Sequence, residues 1–285
     1  MRIIGRVFCV LALAAATLMM GSNIDAGALP DWENPRVTGI NKEEPHAALM
    51  PYPDRASALA GEVTDFEMSL NGAWKFNWAK DPWNRPKDFY QTGYDLSGWD
   101  EIPVPSNWQL EGYGVPIYAN FIYPHKMVAP FVTWTMSPLR TATYHRNPVG
   151  SYRRTFTLPA GFEGRQTFLV FDGVESAFYV WINGEMVGYS QGSRLPAEFN
   201  VTDFVRAGEN MIAVEAYRWC DGSYMEDQDF WRLSGIFRDV QLVSRDALHI
   251  NDFYVKHCLY CRFNLVFICL SLNFENISIV ILSFD

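Results

Sequence analysis

The chain has little positive charge to offer. Its 285 residues carry 23 Lys and Arg against 32 Asp and Glu, a formal net charge of −9. A generic nucleic-acid binder needs a basic face for phosphates, so the balance speaks against that class. It speaks equally against anchoring to an anionic membrane. No Walker loop and no His-Glu-x-x-His pair occurs. The five His residues (His46, His125, His145, His249 and His257) are scattered without ligand-like spacing. Metal and Ser–His chemistry therefore find no support. Cysteine is scarce, and between the two ends Cys220 stands alone. One thiol cannot form an internal disulfide, so Cys220 reads as a small buried filler. Cys258-x-x-Cys261 could be half a zinc site, but no second pair follows it.

What is present is apolar and aromatic. Hydrophobic residues make up 49% of the chain and aromatic residues 15%, too much for a disordered chain and enough for one large domain or two small ones. The two ends differ from the middle. Arg2 and Arg6 precede an apolar run over residues 7–21, and Ala26-Gly27-Ala28 supplies small residues for cleavage. That pattern predicts an export signal over residues 1–28, too short for a comfortable membrane span. The other end, residues 253–285, is rich in Leu, Ile, Val, Phe and Cys. From His257 onward it contains no Gly, Pro, Ala, Thr, Lys or Trp. Asn273, Glu275 and Asn276 interrupt it, which opposes a bilayer span. It reads as an aberrant tail, disordered or aggregation-prone, like translation continued out of frame.

The middle is patterned for antiparallel strands. Tyr152, Phe156 and Leu158 share one face of a run over residues 152–158. Residues 167–171 form a continuous apolar run suited to an inner strand. Two further runs, 177–182 and 185–189, flank Asn183-Gly184, the strongest short signal for a hairpin. Residues 211–219 and 235–243 read as two more strands, and 79–99 as surface loop. Regular short strands separated by turns predict an all-β sandwich or jelly roll. No internal repeat or linker divides the middle.

Two segments stand out chemically. Pro105-Ser-Asn-Trp-Gln109 through Pro116-Ile-Tyr-Ala-Asn120 mixes aromatics, amides and prolines in loop. Cys220-Asp-Gly-Ser-Tyr-Met-Glu-Asp-Gln-Asp-Phe-Trp-Arg232 packs four acids beside Tyr224, Trp231 and Arg232. Carboxylates accept hydrogen bonds from vicinal hydroxyls, and an aromatic ring can cover a pyranose face. The same segment is also compatible with a solvated acidic loop closed by an Arg–carboxylate pair, such as Asp229 with Arg232 or Arg238.

The order of motifs is more specific. Asp31-Trp-Glu-Asn-Pro35, Leu70-Asn-Gly-Ala-Trp-Lys-Phe76, Val104-Pro-Ser-Asn-Trp-Gln109, Pro116-Ile-Tyr-Ala-Asn120, Ser193-Arg-Leu-Pro-Ala-Glu-Phe199 and Asp221 through Asp239 follow one another. This resembles the N-terminal sugar-binding domain of the large β-galactosidases of glycoside hydrolase family 2, over about Asp31 to Asp252. The resemblance implies a galactose-binding-domain-like jelly roll over residues 29–252. In the family this domain precedes an immunoglobulin-like domain and a catalytic (β/α)8 barrel, and that barrel is absent from this chain. It also implies that Asn120 and Asp229 contact the galactosyl unit of a galactoside, and that Asp229 helps bind sodium. Magnesium and both catalytic glutamates of the retaining mechanism would lie in the barrel. Family members are usually homo-oligomeric. Glu175, Glu198 and Glu226 cannot take the catalytic roles without a partner and a barrel pocket. Three readings follow: part of an exported, periplasmic or secreted β-galactosidase, a stand-alone carbohydrate-binding module, or an assembly domain for a separately encoded barrel.

Overall fold

The computed structural model describes residues 29–61, 64–120, 123–125, 127–133, 147–226, 228–260, 265–274 and 277–284. The predicted signal over 1–28 lies outside them. Eighteen strands are present among these residues. The first nine are β1 (Gly39–Ile40), β2 (Glu67–Ser69), β3 (Gly72–Ala79), β4 (Asp100–Val104), β5 (Ile117–Ala119), β6 (Val149–Leu158), β7 (Gln166–Phe171), β8 (Val174–Glu175) and β9 (Ala177–Ile182). The rest are β10 (Glu185–Gln191), β11 (Ala197–Asn200), β12 (Gly208–Tyr217), β13 (Phe230–Arg232), β14 (Gly235–Ile236), β15 (Val240–Arg245), β16 (Ile250–Tyr260), β17 (Leu265–Phe274) and β18 (Ile277–Phe284). The described helices are one six-residue α-helix, α1 (Arg55–Ala60), and short 3-10 turns. No helix among the described residues is long and apolar enough to cross a membrane.

Two sheets make the sandwich. Seven strands run in the order β1-β10-β9-β12-β6-β3-β4, and four in the order β11-β7-β15-β2. Every pairing within them is antiparallel. The fold is thus the all-β sandwich expected. Between the sheets lies one large apolar cluster. Trp74, Phe76, Tyr152, Val180, Ile212 and Val214 come from the larger sheet, Leu169, Phe171, Phe199 and Leu242 from the smaller. Alternation along each strand sends these side chains inward. The Asn183-Gly184 turn forms as expected, with φ of 53° and 92°. Asn183 secures it by donating to Phe204 O and Asn210 Oδ1.

Three expectations need correction. Residues 235–243 are not one strand. β14 pairs with β8, while β15 pairs with β7 and β2. Between them the Phe237 and Arg238 side chains close over Gly173, where even a Cβ would come within 2.8 Å of the Phe237 ring. The described part of the tail is not unstructured chain either. β16, β17 and β18 form an antiparallel meander. Runs of Ile, Val, Leu and Phe without Gly or Pro favour extended backbone. The loop over 79–99 is also more than surface. Phe89 is fully buried in a second cluster with Met211 and Ala213, and Arg153 ties the loop down by donating to Phe89 O and Gln91 O.

Burial sets the acid–base behaviour. Asp172, Glu175, Glu215 and Asp221 are all pushed above their ordinary carboxyl values, in each case chiefly by desolvation. A carboxyl raised in the folded state binds its proton more tightly there. Its stabilising contribution is present below the unfolded value and lost as pH rises through the folded value. Asp54 and Asp95, lowered by hydrogen bonds from Ser57 and Ser97, act in the opposite sense, and only as pH falls through the ordinary carboxyl range. Stability should therefore increase as pH is lowered from neutrality toward the ordinary carboxyl range. Thermal melts across that range should show it, and Glu215→Gln should flatten the slope. A slope unchanged in the variant would rule Glu215 out as a contributor.

Candidate sugar-binding face

Outside the sandwich sheets, β5 and β13 pair as a short antiparallel ribbon, with Tyr118 opposite Trp231 and Ala119 opposite Phe230. Asn120 directly follows β5 and Asp229 directly precedes β13. Residues two apart on a strand share a face, and directly opposed residues share it too. Tyr118, Asn120, Asp229 and Trp231 therefore lie on one face. Burial agrees: all four are exposed, whereas Arg232, on the other face, is buried and Ile117, Ala119 and Phe230 are half-buried. The two residues singled out from the sequence, 109 positions apart, thus both lie at the same end of the ribbon.

The face is polar at one end and aromatic at the other. The Tyr118 hydroxyl donates to Asp229 Oδ1 at 2.5 Å, and that bond pushes the phenol above its ordinary pKa. The Tyr118 and Trp231 ring centroids lie 5.7 Å apart at 57°. Tyr118 is 53% exposed and Trp231 58%. Tyr118 was not picked from the sequence, although its place two residues before Asn120 in the same strand is a usable signal.

Arginines hold the ribbon from behind. Arg218 Nη2 donates to Val115 O at 2.9 Å and to Arg232 O at 3.1 Å. Arg232 donates to Glu226 O and Gln228 O, both at 2.9 Å, and its guanidinium lies 4.4 Å from the Phe230 ring centroid. Arg238 donates to Asp172 O and Arg194 O. The carboxylate of Asp229 accepts from Tyr118 instead of closing an Arg–carboxylate loop.

The other conspicuous groups are structural. Glu226 accepts from Ser193 N at 2.8 Å and Ser193 Oγ at 2.6 Å. Glu175 is paired with Arg194, and Glu198 with Arg245. Tyr224 accepts from Val128 N and donates to Phe131 O. Trp108 and Gln109 are buried, and Gln109 clasps Ser234 through both its amide atoms. Cys220 is buried and its thiol is pushed up to about 12, mainly by desolvation, so it stays a protonated filler. Among the described residues no cluster of three or more His, Cys, Asp or Glu gathers to hold a metal. A roomier cavity of about 320 Å3 lies elsewhere, between the segment around His46 and the smaller sheet. The ribbon face is an open platform, suited to binding rather than to enclosing a reaction.

Comparison with known proteins bears on the family and the fold. The pattern of the family described as "Glycosyl hydrolases family 2, sugar binding domain" matches residues 67–246. The chain is 46% identical over 241 residues to a β-galactosidase of Priestia megaterium (strain DSM 319 / IMG 1521), covering 82% of this chain and 22% of the relative. It is 47% identical over 226 residues to a β-galactosidase of Vibrio vulnificus (strain YJ016), covering 79% and 21%. The chain thus spans about a fifth of the length of these relatives. Among solved structures, a β-glucuronidase from an uncultured Clostridium sp. superimposes with a TM-score of 0.53 at 21% identity, covering 73% of this chain and 34% of that one. A β-glycosidase from Bacteroides vulgatus gives 0.51 at 23%, covering 73% and 24%. Those two likenesses speak for the fold alone. With the family pattern spanning most of the sandwich, the chain belongs to glycosyl hydrolase family 2, of which it carries the sugar binding domain.

Proposed function

We propose that this chain is the sugar-holding part of an exported β-galactosidase, which hydrolyses terminal β-D-galactose residues from galactosides. The observation that carries the reading is the hydrogen bond from the Tyr118 hydroxyl to Asp229 across the β5–β13 ribbon, at the end of the ribbon where exposed Asn120 follows β5. An amide offers both a donor and an acceptor, and a carboxylate accepts from two vicinal hydroxyls. Together they grip the galactosyl hydroxyls. Oδ1 of Asp229 already receives the Tyr118 proton, so Oδ2 faces the sugar or a sodium ion. One carboxylate oxygen fits sodium only as part of a shared ligand set, completed by another domain. Magnesium and both catalytic glutamates belong with the barrel. The remaining partners are the immunoglobulin-like and barrel domains of the whole enzyme, which would be homo-oligomeric. The chain alone binds sugar and does not hydrolyse it, because one flank of a pocket cannot stabilise an oxocarbenium-like transition state.

Titration of the chain with galactose tests this. A few solvent-exposed hydrogen bonds predict a dissociation constant weaker than about 1 mM. Asp229→Ala should weaken it further while leaving the melting temperature in place. Tight binding that Asp229→Ala abolishes would instead identify a self-sufficient carbohydrate-binding module. Co-purification with a separate barrel protein would identify an assembly domain.

A further inference from the structure

We propose that β18 is a pairing edge for a second copy of this chain, and that two copies join β18 to β18 as a closed, two-fold antiparallel dimer. The strand lies at one end of the β16-β17-β18 meander and pairs with β17 alone among the described strands. Its outer row of backbone N–H and C=O groups is therefore left open. Its eight residues, Ile277-Ser-Ile-Val-Ile-Leu-Ser-Phe284, include no charge, no Pro and no Gly. The register against β17 runs through all eight without a shift, so no bulge bends the edge away. A regular, uncharged, β-branched edge of this length is a template for another strand.

The other edges of the chain are guarded. β1 has two residues and β2 three. β4 carries Asp100, Glu101 and Pro103. The edge of β11 is met by Glu43 N, which donates to Glu198 O at 2.9 Å. The far edge of the meander, β16, contains Asp252, Lys256 and His257, and its register shifts between Ile250 and Asp252. Each chain thus offers one open edge, and this decides the occupant. An antiparallel edge is self-complementary under a two-fold axis, and a second copy brings the same uncharged row. With a single open edge per chain the pairing closes at two copies and does not grow into a fibre. The product is a six-stranded sheet, joined along about 27 Å of strand, with the guarded β16 strands outermost.

Sedimentation velocity on the full chain tests this. The expected result is a species of two chains that dissociates on dilution. Positions 279–281 lie near the two-fold axis, so Val280→Lys sets like charges opposite or diagonal to one another. It should weaken the dimer roughly tenfold or more. Val280→Thr, β-branched and neutral, should keep it. Val280→Glu alone should also dissociate, and mixing the Lys and Glu chains should restore dimers containing one of each. That rescue separates a charge effect at the axis from a meander that has simply failed to form. A chain that stays monomeric at high concentration would overturn the proposal. So would a dimer unaffected by Val280→Lys, a mixture that fails to pair, or growth into long polymers in place of a dimer.

Discussion

Replacing Trp108 by alanine is expected to cost about 3–5 kcal/mol of folding free energy. The indole is fully buried where the two sheets meet the 105–109 loop. A Cβ on Gly150 would come within 2.6 Å of Trp108 Cζ3, and one on Gly235 within 3.5 Å of Trp108 Cε3. Phe76 packs beside it with ring centroids 6.2 Å apart. Those glycines have no side chain with which to fill the hole. The backbone above the ring is also fixed, since Ser106 N donates to Ile236 O and Trp108 N to Ser234 O. Collapse of the cavity is therefore restricted, which places the cost near the top of the range. A chain with 5–15 kcal/mol of total stability would lose a large share of it. Equilibrium denaturation should show the midpoint fall at constant slope. Trp108→Phe should cost much less, because the indole N–H has no partner among the described residues and removing an unpaired donor recovers part of the lost packing. Equal losses for Ala and Phe would mean that ring packing is not what Trp108 contributes.

Arg245→Ala is expected to cost about 3 kcal/mol, or about 10 °C in melting temperature for a domain of this size. Arg245 meets Glu198 through two bonds, at 2.5 and 3.0 Å. Their side chains are only 7% and 12% exposed. The guanidinium also lies 4.4 Å from the Phe168 ring centroid. Truncation would leave Glu198 desolvated with His46 Nε2, 3.2 Å away, as its remaining ionic neighbour. The cost arises from the stranded charge more than from the lost attraction. The double variant Glu198→Gln/Arg245→Met should therefore recover much of the loss. Differential scanning calorimetry of the three proteins decides the point. Additive losses in the double variant would show that the two side chains act independently.

The sandwich strands were legible because their signals are local. Alternation over residues 152–158, the apolar run at 167–171 and Asn183-Gly184 each specify structure within a few positions. The break between Ile236 and Val240 was not legible. It depends on Phe237 and Arg238 closing over Gly173, which lies more than sixty residues earlier. The ribbon shows the same limit more sharply. Its motifs are visible as composition, and their family resemblance names Asn120 and Asp229. Nothing in either motif encodes the other's register. A slip of one residue would have turned Tyr118 and Trp231 inward. Trp108 and Gln109 misled in the opposite sense: aromatic and amide residues in loop look like ligand contacts, yet both plug the interior.

The ribbon has one further consequence, for adaptation. A two-stranded ribbon contributes little core of its own, and this one is secured from its hidden side by Arg218 and Arg232. Its outward positions, 118, 120, 229 and 231, are therefore largely decoupled from foldability. Selection can exchange those four side chains while the scaffold beneath keeps its shape.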